Sequence, residues 1–119
     1  IKHLSLDENG NVVISPNLQH GIEVRSRVIA TQDYQVQTSD YFVGIQATQD
    51  TTITLPDASS LFNGQIFVIK DELENADVYT ITIQAPASQL VENRQSIILA
   101  SPGTAINIYT DGVSKFYIM

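Results

Sequence analysis

Thr51-Thr52-Ile53-Thr54-Leu55-Pro56, then Asp57-Ala58-Ser59-Ser60-Leu61-Phe62-Asn63-Gly64, then Gln65-Ile66-Phe67-Val68-Ile69-Lys70-Asp71 set one turn between two strand patterns. Ile53 and Leu55 alternate with threonines, a β-branched run suited to a pleated, half-buried surface. Pro56 has no N–H to give to a ladder and ends the strand. Asp57 can cap a single helical turn whose end is marked by Asn63-Gly64, residues that adopt left-handed backbone at little cost. The run from Ile66 to Ile69 is apolar on both faces, which predicts a strand in a sheet interior. The cassette therefore predicts an all-β chain.

Outward from it the same period of two recurs. Toward the N-terminus, Leu4 and Leu6 flank Ser5, Glu8-Asn9-Gly10-Asn11 supplies a turn, and Val12-Val13-Ile14 resumes extension before Pro16, which reads as a small hairpin. Ile22, Val24 and Val28 share one strand face and Glu23, Arg25 and Arg27 the other, so the arginine face looks to solvent or to a neighbouring chain. Tyr34 and Val36 alternate with Gln35 and Gln37. After the Ser39-Asp40 corner, Tyr41, Val43 and Ile45 alternate with Phe42, Gly44 and Gln46. Beyond the cassette, Tyr79, Ile81 and Ile83 alternate with Thr80, Thr82 and Gln84, and residues 95–99 form a further strand before Pro102-Gly103. Ile106 and Ile108 alternate with Asn107 and Tyr109, Asp111-Gly112 makes a tight turn, and residues 115–119 run back antiparallel. Helical periodicity is nowhere sustained. The sum is about nine short strands at the spacing of an antiparallel β-sandwich. The weakest joins, at His20-Gly21 and Thr31-Gln32, divide lead-in strands over residues 1–31 from a sandwich over residues 32–119.

A chain of 119 residues suits one such core, burying roughly two thirds of the surface its unfolded chain exposes. With no cysteine, disulfides, thiolate nucleophiles and cysteine-ligated metals are excluded. Thirteen acidic residues against six basic ones give a net charge of −7, which argues against a nucleic-acid partner, whose phosphates call for Lys and Arg. No apolar run approaches the roughly 20 residues of a membrane-spanning helix, and no signal-peptide pattern opens the sequence. Because the first residue is Ile1, the expectation is a processed product or part of a longer polypeptide. The last residues, Phe116-Tyr117-Ile118-Met119, carry no polar tail, and several strands are apolar on both faces. These features lead to the expectation that further copies of the chain cover what one copy leaves exposed.

Residues that could carry chemistry are few. His3 and His20 are far apart, and as solvated loop histidines they are assigned no metal. Asp71, Glu72, Glu74 and Asp77 form a carboxylate run that lacks the spacing of a calcium loop and reads as a solvated turn. No Gly-x-Ser-x-Gly elbow or glycine-rich phosphate loop is present, and nothing among the surface-turn acids identifies a catalytic carboxylate pair. Tyr79 and Tyr109 could stack on sugars, but read first as strand-packing aromatics. The sequence thus assigns no catalytic, cofactor or metal residue and points to a protein that is not an enzyme.

From Tyr34 to Met119, about seven tenths of the chain, the order of elements resembles the terminal module of bacteriophage tail and head fibres and related virion appendages. The resemblance is carried by the Tyr-x-Val strand, the Asp40-Tyr41 corner, Thr-Ile-Thr-Leu-Pro, the turn to Asn63-Gly64, Ile-x-Val-Ile-Lys-Asp, an Ile-Thr-Ile strand, and Asp111-Gly112 before an aromatic strand. Residues 4–12 similarly look like the strand-and-turn segments leading into such tips. Phe116 stands where a Trp is common. The resemblance implies a homotrimeric knob of a head or tail fibre. Its partners would be two sister chains, a fibre shaft or capsid, and a host-surface glycan or receptor. Two other readings fit the same features: a capsid decoration protein, and a carbohydrate-binding β-sandwich module of a secreted protein.

Overall fold

The computed structural model describes residues 4–6, 8–10, 12–14 and 27–119. The N-terminal hairpin forms as the sequence predicts: β1 (Leu4–Leu6) pairs antiparallel with β2 (Val12–Ile14), and Gly10 turns the chain at φ +83°. Of the strand expected around residues 22–28, the part before Arg27 lies outside the described residues. So do His3 and His20.

From Arg27 onward the chain passes back and forth between two sheets. β3 (Arg27–Ala30), β5 (Phe42–Ile45) and β7 (Ile66–Asp71) lie side by side in the larger sheet, and β4 (Tyr34–Gln35), β6 (Thr51–Thr54) and β8 (Ile81–Gln84) in the smaller. All of these neighbours are parallel. The C-terminal strands then close the arrangement. β9 (Leu90–Val91) joins the larger sheet, β10 (Ser96–Ile98) returns antiparallel on β8, and β11 (Ala105–Thr110) and β12 (Lys115–Ile118) form the expected Asp111-Gly112 hairpin beside β7. The final orders are β3-β5-β7-β11-β12-β9 and β10-β8-β6-β4.

The all-β expectation stands, while the antiparallel one is corrected. Both sheets are mixed, and twelve strands are described where about nine were expected. The physical reason is that alternation reports which face a residue occupies and carries no information on strand direction. Parallel neighbours need a crossover, usually a helix. Here a strand of the opposite sheet takes that place, as β4 does between β3 and β5. β3 lies before residue 31 and is nonetheless built into the larger sheet through β5.

The cassette folds as its residues require. Asp57 Oδ1 accepts from Ser59 N at 2.9 Å and caps a single 3-10 turn (Ala58–Ser60), and Gly64 sits at φ +86°. β7 runs between β5 and β11. Its Phe67 and Ile69 are fully buried, whereas Ile66 and Val68 on its other face are half-buried.

One apolar core gathers residues from both sheets: Val43, Ile45, Phe67, Ile69, Ile108 and Phe116 from the larger, Ile53, Ile81 and Ile83 from the smaller. Two of the buried polar groups are partnered through short loops. Buried Thr110 donates its hydroxyl to Lys115 O at 2.9 Å and accepts from Gly112 N at 3.1 Å, which locks the terminal hairpin. Tyr34 donates to Asp40 Oδ2 at 2.5 Å, and the same oxygen accepts from Gln37 N at 2.8 Å, so the Asp40 corner is held by a buried carboxylate.

Candidate interaction face

The two sheets present unlike outer faces. On the smaller sheet, strand register places Gln35, Thr54, Gln84 and Ser96 in one row and Thr52, Thr82 and Ile98 in another. That surface is polar except for Ile98.

On the larger sheet the outward residues are mostly apolar. Arg27, Phe42, Val68 and Asn107 form one row across β3, β5, β7 and β11, and Ile29, Gly44, Lys70 and Ala105 the next. A third row runs Ile66, Tyr109, Tyr117. Leu90 follows at the β9 edge beside Lys115. Ile29 and Phe42 are each 41% exposed and Met119, beyond β12, is 62% exposed. Large apolar side chains on a continuous sheet face are uncommon on a monomer's surface and mark contact surfaces.

Charge on this face is organised. Arg27, Lys70 and Lys115 lie on it, three of the four basic residues between positions 27 and 119, in a chain whose net charge is −7. Arg27 makes a forked contact with Glu72, Nε to Oε2 at 3.0 Å and Nη2 to Oε1 at 2.5 Å, and Gln46 adds a bond to Oε1 at 3.1 Å. The Arg27 hydrogen bonds, and then that of Gln46, hold the Glu72 carboxyl below its ordinary range, and the same contact raises Arg27. Lys115 donates to Asn93 Oδ1 at 3.0 Å, with its ammonium 5.4 Å from the centre of the Tyr117 ring.

The tyrosines singled out in the sequence are placed differently from one another. Tyr79 is half-buried against the core. Tyr109 stacks on Tyr117, centroids 5.2 Å apart at 26°, so each ring covers a face of the other. This cross-strand pair stiffens the outer face.

The carboxylate run of residues 71–77 does not converge. Glu72 reaches over Gly44 toward Arg27, Asp71 is buried, and Asp77 is exposed. Among the described residues no group of three His, Asp or Glu side chains is placed to hold a metal, and no helix is long and apolar enough to cross a membrane.

Alternation separated Phe42 from Val43 and Tyr109 from Ile108 by strand face. It could not show that β5, β7 and β11 are neighbours, which is what joins these residues into one face. Comparison of the sequence with family models finds no match, and comparison with curated proteins finds none either.

Proposed function

We propose that this chain is a structural module of a virion appendage, the terminal knob of a head or tail fibre. It acts by assembly and attachment and not by catalysis. The observation that carries the reading is the apolar outer face of the larger sheet, and the occupant we assign to it is another copy of the same chain. Charge favours that occupant: with Arg27 paired to Glu72 on the face itself, Lys70 and Lys115 remain there as cations on a chain whose net charge is −7, which draws the face toward a second copy. A contact between two different surfaces of identical chains is heterologous and closes into a ring when the rotation allows, as in a homotrimer. The cassette and the closing aromatic hairpin, the features resembling fibre tips, supply β7, β11 and β12 of this same face. The remaining loops are then free for a fibre shaft or capsid on one side and a host-surface glycan or receptor on the other.

Sedimentation equilibrium at micromolar concentration tests the assembly. The expected particle is about three times the 13.1 kDa chain, and Phe42→Glu combined with Tyr109→Glu is expected to give a folded single chain with unchanged far-ultraviolet circular dichroism. A folded wild-type monomer would overturn the reading. Tight glycan binding by such a monomer would favour the carbohydrate-binding module instead. Attachment is tested separately by screening the assembled protein against glycans and host cells.

A further inference from the structure

We infer that the turn following β7 holds one hard cation, ligated by Asp71 and Asn75 where this turn meets the turn preceding β11. Asp71 is fully buried at the end of β7. Its Oδ2 accepts from Ala76 N at 2.9 Å and from Gly103 N at 3.0 Å, tying the two turns together. Its Oδ1 is buried and accepts no hydrogen bond. Four residues on, Asn75 repeats the pattern: Nδ2 donates to Ala47 O at 3.0 Å, while Oδ1 is buried without a donor.

Two unpartnered oxygens in one short turn are unusual, because buried polar atoms are nearly always satisfied by protein, water or an ion. Both are acceptors, so neither can satisfy the other while Asp71 is ionised. A buried carboxylate also needs compensating charge. Lys70 does not provide it by contact, since its ammonium donates to the Gly103 carbonyl. The Glu74 carboxylate also lies against this corner: its Oε1 is 3.4 Å from where a Cβ on Gly103 would stand, and Gly103 is the residue whose N–H holds Asp71.

The donor set is all oxygen, a carboxylate and an amide, with a carboxylate nearby. That chemistry suits a hard cation, whereas zinc and copper call for nitrogen or sulfur. Calcium tolerates an irregular oxygen shell completed by water, and magnesium does not. With a single buried carboxylate, the expected dissociation constant is about 10⁻⁴–10⁻³ M, in the range of weak calcium modules.

The test is thermal unfolding of the chain after treatment with EDTA, in 0 to ~10 mM CaCl₂ at fixed ionic strength, together with calcium titration calorimetry, a range that spans the expected dissociation constant. Wild type is expected to bind one calcium per chain in a saturable isotherm and to gain about 5–10 °C in Tm at ~10 mM, rising with the logarithm of calcium concentration, with a smaller rise in MgCl₂. In Asp71→Asn the side-chain oxygen can still accept from Ala76 N and Gly103 N. That variant is expected to fold and to bind calcium at least tenfold more weakly. Asn75→Ala, which keeps the carboxylate, is expected to weaken binding similarly and serves if Asp71→Asn does not fold. Absence of any calcium response in wild type would overturn the proposal. An undiminished response in the variants would overturn it too.

Discussion

The Glu72 carboxylate lies directly on Gly44: a Cβ at position 44 would stand 2.1 Å from Glu72 Oε2. A glycine in the middle of β5 is therefore what lets Glu72 fold back across the sheet to Arg27 and Gln46. The atom in the way is the far end of a flexible side chain. Gly44→Ala is accordingly expected to displace the carboxylate and release Arg27 while changing stability by no more than about 1 kcal/mol. Gly112→Ala is expected to cost more, about 1–3 kcal/mol, because Gly112 has φ +73° and its Cβ would meet the backbone nitrogen of Asn63 at 2.8 Å. Urea unfolding of the two variants side by side separates a side-chain clash from a backbone one.

Tyr34 should titrate late. Desolvation first, and then the hydrogen bond to Asp40, push its phenol from 10.0 up to about 12. A folded-state value above the unfolded one means the contribution is fully present below pH 10 and is lost as pH rises from 10 through about 12. In a spectrophotometric titration of the five tyrosines, one is expected to ionise only as the protein unfolds. Tyr34→Phe should remove that late step and cost about 1–2 kcal/mol at neutral pH, since it strips a donor from the buried Asp40.

The acid limb has the opposite sign. Asp111 is held below its ordinary 3.8 by the backbone amides of Val113, Ser114 and Lys115, and Asp57 by Gln89 and then Ser59. Glu72 is held below 4.5 chiefly by Arg27. Depressed folded values stabilise above the unfolded value and lose that stability as pH falls through the folded one, so these groups leave the chain weakest below pH ~4. Asp57 is exposed and Asp111 and Glu72 are half-buried at the surface, which keeps the individual effects small and salt-sensitive. Asp111→Asn is expected to flatten the fall in Tm between pH 5 and pH 3, as measured by a pH series of thermal melts.

How much of this was legible in the sequence depends on the range of the interaction concerned. Asp57, Gly64, Gly10 and the Asp111-Gly112 turn act within a few residues, and their chemistry specifies the local turn wherever it occurs. The inward set, Ile53 with Ile83 and Val43 with Ile69, is likewise encoded by alternation. Strand direction is not, because β3 and β5 become parallel only through the path that residues 31–41 take across the other sheet. The apolar outer face shares that limit. Phe42, Val68 and Asn107 are far apart in sequence and meet only after the order β5-β7-β11 is set. Asp71 was read as one of a solvated run, and nothing local distinguishes it from Glu72 except the strand phase that turns it inward.

One sequence signal does announce the parallel winding. Ala-Thr-Gln-Asp occurs at residues 30–33 and again at 47–50. The second copy stacks on the first: Thr48 N and Oγ1 both donate to Thr31 O, at 3.3 and 3.1 Å, and Ala30 and Ala47 are both buried. Each aspartate then reaches to the next winding, Asp33 Oδ1 accepting from Thr52 N at 2.8 Å and Asp50 Oδ1 from Thr80 N at 2.9 Å. The repeat is thus a corner used twice to hold successive parallel strands of the smaller sheet in register. Asp33→Ala is expected to cost about 1 kcal/mol and to raise hydrogen exchange at the Thr52 amide while leaving Thr80 protected, and Asp50→Ala to do the converse. Exchange rates that rise equally at both amides in both variants would show that the corners act as one unit and not as separate clamps.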